Sequence, residues 1–258
     1  MIIVILLKLG FCLKDGVCMK DKSTIEKIIV FDTGPIISLT TNNLLWLLRA
    51  LNARYPGRFL IPLKVKKELI DIPLMTKRFK FEALQVMKEL REGTLHIIDS
   101  AEIEKKTLEL LELANHCFKG NGNWLKIVHY AEMEALATAI LLEADALVVD
   151  ERVTRKLVED PYEVTKLLKI KFRSKTTIDN DNLAKLKKEL KNVKVIRSVE
   201  LVMRAVELGL LDNYIPKQTT VVTNPKKTLL QSLLWGLKIR GCALSQEELD
   251  EIVEIELE

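Results

Sequence analysis

Four cysteines in 258 residues, at positions 12, 18, 117 and 242, form no CxxC pair and no closely spaced even set. That excludes a disulfide-stapled scaffold and points to a reducing, cytoplasmic setting. The three histidines, His96, His116 and His129, share no helical face at metal-ligand spacing. His116 beside Cys117 therefore reads as incidental rather than as half of a zinc site. With 10 glycines and 7 prolines, no stretch is low in complexity. No glycine-rich phosphate loop follows any predicted strand, which disfavours a dinucleotide fold. No apolar run is long enough to cross a bilayer. The opening "MIIVILLKLGF" is too short and is broken by Lys8, and no small-residue cleavage site follows it. It reads as a buried strand or a packed N-terminal extension over residues 1–26, with Met19 as an alternative start. Excess charge is also small. Forty Lys and Arg stand against 36 Asp and Glu, a net +4, which is only a weak pointer to a polyanion partner.

What is present is alternation. "KIIVFD" is an apolar strand closed by Asp32, followed by the turn-like Thr33-Gly34-Pro35. Leu44, Leu45, Leu47, Leu48 and Leu51 recur at helical spacing. A short strand, Phe59 to Ile61, leads through Pro62 into a helix with Glu68 about two turns in. "FEALQVMKELREG" is a helix closed by Gly93. "TLHIID" and "ALVVDE" are strands that end in acid, with "EIEKKTLELLELA" and the Ala-rich "HYAEMEALATAILLEA" as helices between them. "RVTRKLVE" begins a helix, "VKVIR" is a last strand and "SVELVMRAVELGLL" a helix. Strands and helices in turn predict an α/β domain with a mostly parallel central sheet flanked by helices. Its expected bounds are 27–215, with a basic insertion at 160–192 and a helical tail at 216–258. Ser245 with Glu248 forms a capping box that opens the tail's last helix.

The chemistry-bearing residues are carboxylates: Asp32, Glu68, Glu132, Glu134, Asp150 and Glu151. Asp32 and Asp150 stand at the carboxyl ends of predicted strands, the edge where open parallel sheets bind ligands. A charge at the tip of a buried strand costs free energy unless something binds it. Three or four carboxylates at one edge repel one another and raise each other's pKa, and a divalent cation removes that repulsion. Oxygen donors without organised His or Cys favour Mg²⁺ or Mn²⁺, ions that activate water at a phosphodiester. Glu132 and Glu134 lie about 200° apart around a helix. Only one of them can face such an ion.

Quoted in order, "VFDTGPIISL", "IPLKVKKEL" and "AEMEALATAILLEADALVVDERVTR" resemble the PIN-domain superfamily of metal-dependent ribonucleases, which includes the VapC-type toxins. "VKVIRSVELVMRAVELGLL" and "LLQSLLWGLKIRGCALSQEELDEIV" are similar to the final strand, helix and tail of a PIN subgroup described as nucleic-acid binding. The resemblance covers roughly 27–155 and 193–255. Carried over position by position, it implies Asp32, Glu68, Glu132 and Asp150 as catalytic and metal-binding acids, with Glu134 and Glu151 in reserve. Ala131 and Thr154 stand where glycine is usual.

The resemblance implies RNA as substrate, Mg²⁺ or Mn²⁺ as cofactor, and an antitoxin or other protein as partner. "LKIKFR" alternates basic and apolar residues, as in a strand with one basic face. Lys169, Lys171 and Arg173, together with Arg155, are the expected phosphate contacts; an ordinary solvated edge strand is the competing reading. The tail's Leu229, Leu230, Leu233, Leu234 and Trp235 suit either a homodimer face or packing on the protein's own sheet. Two further functional classes compete with the endoribonuclease. One is a PIN-fold module that binds RNA or protein with little nuclease activity. The other is a phosphatase-like hydrolase, which "DTGP" disfavours because it lacks a second aspartate two residues after the first.

Overall fold

The computed structural model describes residues 27–172 and 176–257. The N-terminal extension over residues 1–26 lies outside the described residues. Five strands form one sheet: β1 (Lys27–Phe31), β2 (Gly57–Pro62), β3 (His96–Ile98), β6 (Ala146–Val148) and β8 (Val195–Ile196). Their order is β3-β2-β1-β6-β8, and every pairing is parallel. β1 is central because it can afford no wet face: Ile29, Val30 and Phe31 are all fully buried. Successive side chains point to opposite sides of a strand. Ile29 and Phe31 accordingly join one hydrophobic cluster, with Phe59 and Ile61, while Val30 joins the other, with Leu147 and Val149.

The helices are α1 (Thr33–Thr41), α2 (Trp46–Asn52), α4 (Lys80–Arg91), α5 (Ala101–Asn115), α6 (Tyr130–Leu141) and α7 (Arg152–Glu159). They continue as α8 (Pro161–Phe172), α9 (Asn180–Leu190), α10 (Ser198–Glu207), α11 (Pro225–Ile239) and α12 (Gln246–Ile255). Between α2 and α4, a helix here called α3 runs through an α-helical turn Leu63–Lys66, a π-helical turn Lys67–Asp71 and a second α-helical turn Ile72–Met75. Thr33-Gly34-Pro35, a turn by composition, is instead the first turn of α1. Proline is tolerated there because first-turn amides have no intrahelical acceptor. Gly93 does close α4, at φ 73° with its N–H on Leu90 O. Among the described residues no helix is long and apolar enough to cross a membrane.

The stretch from Lys166 through Phe172 is not a strand but the second half of α8. Six alternating residues fit a helix as well as a strand. Here Val164 and Leu168, four apart, are buried, whereas Ile170 is 77% exposed. Lys169 is exposed on this helix, Lys171 lies near its end, and Arg173 lies outside the described residues. The true strand comes next: β7 (Thr176–Ile178) pairs with β4 (Phe118–Gly120), which pairs with β5 (Asn123–Trp124), both antiparallel. A two-residue Asn121-Gly122 loop joins β4 to β5, with φ of 50° and 86°. Asn-Gly is the residue pair that suits such a hairpin turn.

The tail packs on its own domain. Leu229, Leu230, Leu234 and Leu237 enter the same cluster as Phe31 and α10, Leu233 packs against it, and Trp235 stays 42% exposed. Gly57 shows how closely the sheet is built. A Cβ there would stand 2.1 Å from the backbone oxygen of Lys27, its register partner on β1, and 2.6 Å from the Tyr55 ring. Gly57→Ala is expected to cost at least about 2 kcal/mol, lowering the Tm by roughly 4–8 °C, because a backbone atom must give way. Thermal unfolding followed by circular dichroism measures it, and an unchanged Tm would contradict this packing.

Candidate active site

Asp32 follows β1 directly and precedes α1; its N–H donates to Val148 O on β6 at 3.0 Å. It is 5% exposed, and Oδ1 is buried with no hydrogen-bond partner. Burial pushes its carboxyl up to about 7, the amides of Thr33 and Gly34 pull the other way, and the charges of Glu132 and Glu68 add to the rise. Glu68 sits on the π-helical turn of α3, where its Oε2 accepts a 2.9 Å hydrogen bond from Thr33 Oγ1. One-turn π segments recur at functional sites because they re-aim a side chain.

Glu132 and Glu134 part as their spacing requires. Glu132 lies in the first turn of α6 and accepts from His129 N at 3.0 Å and, more loosely, from Thr154 Oγ1 at 3.4 Å. Burial pushes Glu132 up to about 7; the His129 amide and the Thr154 hydroxyl oppose this, and the charges of Glu151 and Glu68 reinforce it. Glu134 turns away to α3. Its Oε2 accepts from Lys64 N at 2.8 Å, capping the start of the helix that carries Glu68. Burial raises its pKa too, against the Lys64 amide.

Asp150 stands at the same end of the sheet as Asp32. The place a Cβ on Gly34 would occupy is 3.6 Å from Asp150 Cβ and 3.8 Å from Asp32 Oδ2. Yet Asp150 is fully engaged. Its Oδ1 accepts from Ser198 N at 2.8 Å, and its Oδ2 from Ser198 Oγ at 2.7 Å and Ser38 Oγ at 2.9 Å. It thereby ties the starts of α7 and α10 to α1. Glu151, next along, caps α7 by accepting from Thr154 N at 2.6 Å.

The tail also reaches this edge. Ala243 N donates to Asp150 O at 3.3 Å. Buried Arg197 donates to Ala243 O, to Glu248 and to Glu200, pinning the tail beside the site. Arg155 lies mostly buried on α7, its Nε 3.9 Å from Glu159. With Lys156, Arg197 and Glu248 it lines a cleft of about 500 Å³.

A family model for the PIN domain matches residues 28–162, just over half of the chain. This chain belongs to the PIN-domain family. PIN domains are in general nucleases, and they typically use divalent metals. Among solved structures, a chain from the crystal structure of VapBC2 from Rickettsia felis bound to a DNA fragment from their promoter is similar at 19% identity. That similarity covers 66% of this chain and 98% of that one, with a TM-score of 0.37. No curated protein matches.

In this PIN domain, then, Asp32, Glu68, Glu132 and Glu151 act on one another electrostatically, Glu132 and Glu151 while also accepting from amides at the starts of α6 and α7, whereas Glu134 and Asp150 hold the starts of α3 and α10. Among the described residues, no three His, Cys, Asp or Glu side chains converge closely enough to hold a metal ion as they stand. The donor set nevertheless suits a hard cation: it is all oxygen, and one buried oxygen, Asp32 Oδ1, lacks any partner. The supporting hydroxyls of Thr33, Ser38, Thr154 and Ser198 escaped the reading of the sequence. A signal was available for Thr33 and Ser198, which open helices directly after strands of the sheet, but not for Ser38, in the middle of α1, or Thr154, within α7.

A carboxyl whose pKa is raised by folding makes the folded state less stable as pH climbs from the unfolded value, near 4, through the folded one, near 7. With chelator at pH 8, Asp32→Asn is expected to melt roughly 3–8 °C above wild type, reflecting about 1–3 kcal/mol of relieved desolvation and repulsion. The gap should narrow as pH falls below 7 and close only below about pH 4, where the wild-type carboxyl is protonated in the folded and unfolded states alike. Millimolar Mn²⁺ should raise the wild-type Tm by a few degrees and that of Asp32→Asn by less. Equal Mn²⁺ stabilisation of both proteins would remove the metal from this site.

Proposed function

We propose that the protein is a divalent-metal-dependent endoribonuclease, with Asp32, Glu68 and Glu132 holding Mg²⁺ or Mn²⁺ at the carboxyl edge of the sheet. The observation that carries this reading is the buried, partnerless Oδ1 of Asp32, flanked by Glu68 and Glu132, in a chain of the PIN family. A bound ion would neutralise the clustered charge and supply a polarised water for attack on a phosphodiester. The chain's own residues do the positioning. Thr33 orients Glu68, and the His129 amide with Thr154 orients Glu132. Asp150 braces α1 against α10 through Ser38 and Ser198, so that Asp32 keeps its place at their junction. Glu134 holds the start of α3 and so sets the height of Glu68 above the sheet. Glu151 adds negative charge beside Glu132.

RNA is the substrate class this reading names, with Lys169, Lys171 and Arg155 proposed as phosphate contacts. The alternative, a PIN-fold binding module with little nuclease activity, makes a different forecast for one assay. Cleavage of a mixed RNA pool by the wild type should require Mn²⁺ or Mg²⁺ and stop with chelator. Asp32→Asn and Glu132→Gln should lose about a hundredfold or more, a fall of roughly 2.7 kcal/mol in transition-state stabilisation. Glu134→Gln should lose less, because the amide side chain still accepts from Lys64 N. RNA left intact by the wild type, or cut equally by Asp32→Asn, would turn the assignment over to the binding module.

A further inference from the structure

The charge of this chain is divided unevenly along the sequence. Residues 116–128 and 160–192 together hold eleven Lys and Arg against five Asp and Glu, a net +6. The other 212 residues hold 29 against 31, a net −2, so the whole positive excess of +4 arises in these two segments. They are far apart in sequence, yet the fold joins them as one unit. β4 and β5 come from the first, and β7, which completes their sheet, comes from the second. α8 and α9 flank β7 in the chain, and Phe118, Leu168, Leu183 and Leu186 share one buried cluster.

The small sheet has a dry face and a wet face. Phe118, in register with Ile178, is fully buried on one. Lys119 is in register with both Trp124 and Thr177, so these three share the other. Trp124 on that face is 39% exposed and is held from two sides. Lys119 Nζ lies 4.0 Å from its ring centroid, and the His116 ring meets it edge-on at 5.1 Å. A cation over a ring that would otherwise be free to turn keeps the ring presented to solvent. Only five residues separate Trp124 from the start of α6, whose first turn carries Glu132.

We propose that the exposed face of the β5-β4-β7 sheet, with Trp124 as its stacking residue and Lys119 as its phosphate contact, is a platform for single-stranded RNA leading to the acidic edge. A π-face stacks any accessible base but cannot reach the faces of a base already stacked between neighbours in a duplex, so the aromatic selects single strands. The net +6 supplies the backbone attraction that the net-negative remainder of the chain withholds. The assignment rests on the ribonuclease reading for its choice of ligand, but it is tested separately from it.

The test is binding of a fluorescein-labelled oligouridine by the full chain in chelator, so that no cleavage intervenes. Wild type should bind, and more weakly as salt rises. Trp124→Ala should weaken binding about tenfold and Trp124→Phe restore it to within about threefold, while the Tm of both stays near wild type. Lys119→Ala should reduce the salt slope by about one phosphate contact. Duplex RNA of the same length should compete about tenfold less well. Wild-type affinity in Trp124→Ala, equal competition by duplex, or no binding at all would overturn the platform. Loss of the platform with metal-dependent cleavage intact would sink this inference alone. Stacking-dependent binding without cleavage would sink the nuclease reading alone.

Discussion

One desolvated carboxylate organises this molecule. Asp32 ends a strand with no wet face, between two neighbours that pair with it along its length. It has nowhere to take its charge except the narrow space where α1 and α10 begin. An unpartnered charge there costs free energy in proportion to its burial. The surroundings partly offset that cost with the amides of Thr33 and Gly34, and leave one oxygen bare. The lack of a side chain at Gly34 keeps the space beside Asp32 and Asp150 open.

Around that point the other acids separate into two kinds of work. Asp150 and Glu134 spend their oxygens on helix starts, where the amides have no partners of their own and a negative charge is welcome. Glu132 does both: it accepts from the His129 amide at the start of α6, and with Glu68 and Asp32 it is left closer to like charge than is favourable. The tail belongs to this arrangement rather than to a separate body. Its leucines complete the core under α10, and the Arg197 network, buried together with Glu200, holds the 243–248 turn against the backbone of Asp150. A buried guanidinium needs its full set of acceptors to be tolerated. Arg197 meets that need through Ala243 O, Glu248 and Glu200, two of them in the tail, so its bonding ties the tail to the start of α10.

The second sheet carries Lys119 and Trp124 on one face, and only five residues lead from it into α6, the helix of Glu132. Clustered acids that hold a cation repel a phosphodiester at longer range, and a positive unit placed next to them counters that repulsion. The two surfaces come from one continuous path, from β5 through the turn into α6.

Much of this was legible in the sequence, because some signals are local. Apolar runs and 3.6-residue periods mark the five parallel strands and most of the helices, though not α1, α8 or α9, and an acid after an apolar run marks Asp32 and Asp150. The 200° between Glu132 and Glu134 already required that only one reach the site. Other features depend on residues far apart in the chain. Six alternating residues in α8 favour neither strand nor helix until Val164 and Leu168 find a core to enter. β4 and β7 are three residues long and are strands only because they meet. Which glutamate faces Asp32, and that Asp150 is held by Ser38 and Ser198, could not be read from local pattern. Those outcomes follow from how α1, α3 and α10 pack onto the sheet, and a buried oxygen takes whichever donor that packing brings within 3 Å.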